Sequence, residues 1–99
     1  MTSLVIVDVT PINIEKLLEY SALAEETLLP FHGRFIAKGN AETLHTSVGQ
    51  GGSGPSMKAV IEFPNCECAN AWYASPEYQA LIPLREQGMS SRFQLVEGL

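Results

Sequence analysis

The sequence predicts an α+β fold: a four-stranded antiparallel sheet with both helices on one face. Three observations carry this reading. Short apolar runs rich in β-branched residues recur four times along 99 residues. Stretches with helical spacing separate the first run from the second, and the third from the fourth. Two hydroxyl-proline pairs, Thr10-Pro11 and Ser75-Pro76, read as helix starts. The hydroxyl serves as N-cap, and proline fills a first helical position that has no use for its missing N–H.

Residues 4–9 carry Asp8 as their one charge and predict a largely buried strand. Thr10-Pro11 then opens a helix in which Ile14, Leu17, Leu18, Ser21, Glu25 and Leu28 share a face, with Glu15, Lys16, Glu19 and Glu26 outside. The helix is expected to stop before Pro30, because a residue preceding proline is pushed out of the helical region. Residues 32–38 predict the second strand, left through Gly39-Asn40, with residues 41–48 as a ragged extension. Residues 49–56 are glycine-rich. They lack the Gly-Lys-Ser/Thr ending and the following helix of a phosphate-binding loop, and read as a hairpin loop and candidate lid.

Residues 57–63 form the third strand, ended by Pro64. Asn65 caps a helix carrying Ala69, Ala71, Trp72 and Tyr73. A second helical piece runs from Pro76 to Gln87, with Gly88 as its C-terminal cap. Residues 92–97 supply the fourth strand. The order is that of a ferredoxin-like βαββαβ sandwich, expected to be one domain over residues 1–99.

Eleven acids against six bases give a formal charge of −5. This argues against nucleic acid or an anionic membrane as partner. The apolar run before Asp8 is too short for a membrane span or a signal-peptide core, so a cytoplasmic protein is expected. Cys66 and Cys68 are one residue apart, too close for an unstrained disulfide and without metal-ligand spacing. Inert thiols, no metal and no cofactor are expected.

Alternation along the strands sorts a fully apolar set, Val5, Val7, Val9, Phe35, Ala37, Ala59, Ile61, Phe63, Phe93 and Leu95, under the helices. The opposite set is Ile6, Asp8, His32, Arg34, Ile36, Lys38, Lys58, Val60, Glu62, Arg92, Gln94 and Val96. It mixes aliphatics with both signs of charge, as suits a covered face holding a polar cluster. Two readings are compatible: Asp8 and Glu62 are matched to Arg34 or Arg92 in a subunit interface, and cations such as Arg34, Lys38 and Arg92 hold an anionic ligand there.

Several segments resemble one family: residues 4–9, Phe31-His32-Gly33-Arg34-Phe35-Ile36-Ala37-Lys38-Gly39, Val60-Ile61-Glu62-Phe63-Pro64, Leu95-Val96-Glu97-Gly98, and above all Trp72-Tyr73-Ala74-Ser75-Pro76-Glu77-Tyr78. The family is that of domain of unknown function 1330. The resemblance implies the dimeric α/β-barrel superfamily, in which two ferredoxin-like sheets enclose a barrel between their open faces. That repertoire includes cofactor-independent monooxygenases, lactone isomerases and haem-binding members. His32 departs from the family pattern, where glycine is more usual, as does Asn40, and the glycine-rich loop is longer.

The candidate acid/base residues are His32 and Glu62. Burial would raise the Glu62 pKa, whereas a neighbouring arginine would lower it. Candidate ligand contacts are Arg34, Lys38, Arg92 and Asp8 on the open face, with Tyr73 and Tyr78 at the helix bend. Trp72 is expected in the core and Ser75 as a cap. The expected function is binding of a small anionic organic molecule in a barrel formed by a homodimer through the open sheet face. A cofactor-independent monooxygenase or isomerase is the enzymatic alternative, and a structural or regulatory dimer without ligand is the third.

Overall fold

Every second residue of β1 (Ser3–Pro11) is buried from Ser3 to Val9, while Leu4, Ile6 and Asp8 turn to the other face. Such alternation belongs to a strand with one face in a core and one outside it. The computed structural model describes residues 2–47 and 57–98. After β1 come α1 (Ile14–Leu28), a 3₁₀ turn (Leu29–Phe31), β2 (Arg34–Asn40), β3 (Met57–Phe63), α2 (Cys66–Ala74), α3 (Pro76–Gln79), α4 (Ile82–Gly88) and β4 (Met89–Glu97). The sheet order is β2-β3-β1-β4, all antiparallel, with the helices on the face of Val5, Val7, Ala59 and Ile61. This is the ferredoxin-like topology. Trp72, Tyr78, Phe63, Leu28 and Ile61 are its largest fully buried side chains.

The caps are side-chain oxygens on backbone N–H groups. Asn65 accepts from Cys68 N at 2.8 Å, and Ser75 accepts from Tyr78 N at 3.3 Å with Pro76 following. The first helix starts differently from expectation. Thr10 and Pro11 remain in β1, opposite Ser90 and Met89, and Asn13 is the N-cap of α1, accepting from Lys16 N at 3.2 Å. The extra pairing also starts β4 at Met89, three residues before the expected Arg92.

The buried face of α1 is Leu17, Tyr20, Ala24 and Leu28. Ile14 and Leu18 are exposed, so the helix is rotated from the stripe expected. Gly88, expected as the C-terminal cap, is the last residue of its helix, and Met89 after it is the cap, in extended conformation. Gly88 ends α4 where that helix presses on α1: a Cβ there would stand 2.7 Å from the Leu17 backbone nitrogen. Its carbonyl accepts from Ile12 N and Asn13 N at 2.9 and 3.1 Å. The expected helix over residues 76–87 is split into α3 and α4, with Pro83 in the first turn of the second piece.

β2 departs most. It begins at Arg34, and Phe35 pairs with Ile61 but Ala37 with Val60, so a β-bulge sits at Ile36. Residues 41–47 form no strand. The glycine-rich loop at residues 49–56, with its candidate lid role, and Val48 before it lie outside the described residues. Among the described residues no helix is long and apolar enough to cross a membrane.

Candidate functional site

Two aromatics close α2, and the chain must turn back over them. Ser75 makes the turn with extended backbone, its hydroxyl donating to the Trp72 carbonyl at 2.7 Å. The turn brings Tyr78 against Trp72, ring centroids 4.4 Å apart, and against Tyr73 at 5.1 Å. Tyr20 reaches over from α1 and meets the Tyr78 hydroxyl at 2.7 Å.

Arg85 completes the cluster from α4. Its Nη1 donates to the hydroxyls of Tyr73 and Tyr78, each at 3.0 Å. Its Nε and Nη2 donate to Glu86 Oε1 at 3.2 and 2.9 Å. Arg85 is only 8% exposed, yet it is satisfied by this set, as a buried guanidinium must be. Burial works against its charge, but the bonds to Tyr73, Tyr78 and Glu86 outweigh that and hold its pKa above the ordinary arginine value. Burial, then the charge and hydrogen bond of Tyr78, pushes the Tyr20 phenol well up. Burial also pushes Tyr78 up, against the opposing pull of its bonds to Tyr20 and Arg85.

Beside this cluster a cavity of about 660 Å³ opens between α2 and β4, lined by Asn70, Trp72, Tyr73, Arg85, Ser91 and Phe93 among others. Tyr73 is the exposed end of the network, at 36%. Its oxygen accepts from Arg85, which leaves its own hydrogen to donate. A phenol O–H backed by a guanidinium suits a carbonyl oxygen or an oxyanion, and the rings of Tyr73 and Phe93 suit a flat apolar body. No carboxylate or imidazole belongs to the described lining.

The open sheet face holds pairs. Arg34 Nη2 lies 2.8 Å from Glu62, and Lys58 pairs with Asp8. Arg92 stands opposite Asp8 on β4. His32 does not join them: it lies outside the strand, exposed, as the left-handed residue that ends the 3₁₀ turn, with φ 60°. A left-handed residue is where glycine is favoured, so the histidine holds this conformation against the preference of its own side chain. Lys38 is also displaced. The bulge at Ile36 inverts the alternation, so Lys38 pairs with Ala59 and faces α1, with Nζ 3.1 Å from Ser21 Oγ and 4.0 Å from Glu25.

Of the residues singled out in the sequence, the structure therefore gathers Tyr73 and Tyr78 at one site and Asp8, Arg34, Glu62 and Arg92 on another face. Arg85 and Tyr20 were missed. Arg85 lies seven residues after Tyr78 and Tyr20 three after Leu17, so helical spacing was their only signal. Cys66 and Cys68 are free thiols, Cys66 Sγ lying 2.9 Å from Ser3 Oγ. Among the described residues no group of three His, Cys, Asp or Glu could hold a metal ion.

The fold and the site together define a ferredoxin-like α+β protein with an aromatic, arginine-backed cavity. The chain belongs to the family of domain of unknown function 1330 (DUF1330), whose model matches residues 2–99. No curated protein matches it. Among solved structures it is similar to a protein of unknown function from Rhodopseudomonas palustris, with 14% identity and a TM-score of 0.75 over 99% of this chain and 82% of that one. A dimeric ferredoxin-like protein of unknown function from Jannaschia sp. CCS1 gives 11% identity and a TM-score of 0.72 over 99% and 100%. A cofactor-independent oxygenase from Streptomyces nogalater gives 10% identity and a TM-score of 0.66 over 99% and 92%. At these identities the likeness is one of fold.

Proposed function

We propose that the protein binds a small aromatic molecule carrying an oxyanion in the cavity between α2 and β4. One observation carries this reading: the Tyr73 hydroxyl and the buried Arg85 guanidinium form a preorganised polar wall in a cavity of about 660 Å³ that the Tyr73 and Phe93 rings also line. Binding gains most when polar partners are already held in place, and here Tyr78 and Glu86 hold Arg85 before any ligand arrives. The ligand is assigned to this cavity and not to the open sheet face because Arg34 and Lys58 there already have carboxylate partners, and the remaining cation, Arg92, stands opposite Asp8 beside a hollow of only about 160 Å³.

The open face is assigned to a second copy of the chain. Leu4, Ile6, Val60 and Val96 give it apolar area around matched charges, and two similar structures, from Jannaschia and Bacteroides fragilis, are described as dimeric. A reducing, cytoplasmic setting suits the two free thiols.

The enzymatic alternative, a cofactor-independent monooxygenase or isomerase, is less well supported. It needs a proton acceptor on the cavity. His32 ends a surface turn and Glu62 is bonded to Arg34 on the other face of the sheet. Native mass spectrometry of the purified protein, followed by salicylate titration read from the single tryptophan, Trp72, tests the binding reading. A bound anion, or salicylate quenching weakened about tenfold by Tyr73→Phe, is expected for loss of one such hydrogen bond. A bare protein whose wild-type and Tyr73→Phe forms respond alike to salicylate would remove the reading.

A further inference from the structure

A second cavity lies inside the sandwich, between α1 and the sheet. Its volume is about 250 Å³, and Val7, Val9, Leu17, Leu18, Met57 and Ala59 give it aliphatic walls. Trp72 and Phe93 line both this cavity and the larger one and stand as a partition between them. Its described polar lining is confined to Tyr20, Ser21, Lys38 and Lys58. The Tyr20 hydroxyl is taken by Tyr78, and the Lys58 ammonium is held by Asp8 on the opposite face of the sheet. Lys38 is thus the cation left for this cavity.

Two features of the chain place it there. The bulge at Ile36 shifts the register of β2 by one residue and turns Lys38 from the open face toward α1. A one-residue slip moves every later side chain to the other face, and bulges are a recurrent means of re-aiming a side chain beside a site. Lys38 then spans the gap between strand and helix, over the Phe35 ring at 4.3 Å and within 3.1 Å of Ser21 Oγ. Its one carboxylate neighbour among the described residues, Glu25, is 4.0 Å away and largely exposed, a weak and solvent-screened partner. Two of its three N–H groups remain for a ligand. Ile14 and Leu18, among the exposed aliphatics of α1, also line the cavity.

We infer that this cavity is a binding site for a small aliphatic monocarboxylate, its chain between α1 and the sheet and its carboxylate on Lys38 Nζ and Ser21 Oγ. The aliphatic walls select an apolar chain, the single ammonium selects one negative charge, and the volume, at the low end for ligand pockets, selects a short molecule. The site is separate from the Tyr73–Arg85 cavity and does not depend on what occupies that one.

Octanoate is the probe, with octylamine as the same chain bearing the opposite charge. Binding is followed by calorimetry and by the fluorescence of Trp72. Octanoate should bind at least about tenfold more tightly than octylamine. Lys38→Met, an exposed edge-strand change, should weaken octanoate about tenfold, and Lys16→Met, on the outside of α1, should leave it unchanged. Ala59→Leu fills the cavity from the sheet side and should abolish octanoate binding while circular dichroism shows the fold retained. The inference is overturned if octanoate does not bind, if octylamine binds equally well, or if Lys38→Met or a folded Ala59→Leu protein binds octanoate as the wild type does. The last result would place octanoate elsewhere, including beside Tyr73, and salicylate competition would then report on that cavity alone.

Discussion

The hydroxyls of Tyr20 and Tyr78 lie 2.7 Å apart in the core, joining α1 to α3 across 58 residues of sequence. The two positions are not equivalent. Tyr20 loses one partner if its hydroxyl is removed, whereas Tyr78 also serves Arg85. Tyr20→Phe should cost about 1–2 kcal/mol and Tyr78→Phe about 2–4 kcal/mol, since the second leaves a buried guanidinium short of an acceptor. The double variant should cost less than the sum, because the two hydroxyls share one bond. Urea denaturation of the three proteins measures this, and equal, small effects would show that the network contributes little to stability.

The same network fixes the response to alkali. Both phenols have folded-state pKa values above the ordinary phenol value near 10, chiefly through burial. Below about pH 10 the folded and unfolded chains bind the same number of phenolic protons, so this contribution to stability is complete. Above it the unfolded chain releases protons that the folded chain retains, and stability falls as pH rises. The tyrosinate absorbance of Tyr20 and Tyr78 should therefore emerge together with the loss of circular dichroism, at one midpoint. Their ionisation in a still-folded protein would contradict the burial described.

Gly88 sets how closely α4 approaches α1. A methyl group there meets Leu17 N at 2.7 Å and Leu17 Cα at 2.9 Å, both backbone atoms that cannot rotate away. Gly88→Ala should cost roughly 2–4 kcal/mol by forcing the helices apart. The thermal midpoint should then fall by about 10 °C or more for a chain of this size. A melt within about two degrees of wild type would mean that the helices separate cheaply.

His32 is the opposite case. At φ 60° it occupies a backbone region that a side chain resists, and its exposed ring makes no hydrogen bond within the described structure. His32→Gly should be neutral or stabilising by up to about 1 kcal/mol, the relief of strain set against the greater entropy of the unfolded chain. A folded protein that lost ligand binding on this change would restore a functional role to the imidazole.

Local chemistry made much of this fold legible. The Ser75-Pro76 joint, the Asn65 cap and the bounds of β3 could be read directly, because each depends on residues within one turn or strand. The errors arose where a distant partner decides. Thr10-Pro11 resembles a helix start but is claimed by β4. Strand alternation put Lys38 beside Arg34, and no residue in β2 announces the bulge that separates them. Arg85 drew no notice because a lone arginine on an amphipathic helix is usually solvated. Only the packed structure shows two phenols waiting for it.

Ile6 lies at the middle of the open sheet face, opposite Val60 on β3 and Gln94 on β4. It points away from the helices, so a change there should barely disturb the core of the single chain. If two copies meet through this face, Ile6→Asp buries a third carboxylate beside Asp8 and Glu62, where Arg34 is taken by Glu62 and Lys58 by Asp8 and Arg92, opposite Asp8 on β4, is the one further cation of this chain's described face. Taking a carboxylate out of water at the centre of an interface costs several kcal/mol, so self-association should weaken by at least about a hundredfold. Sedimentation velocity should show a wild-type dimer and an Ile6→Asp monomer with unchanged circular dichroism. A wild-type monomer would rule out the paired barrel, and a variant that stays dimeric would move the interface to another surface, leaving the matched charges of Asp8, Lys58, Arg34 and Glu62 facing water.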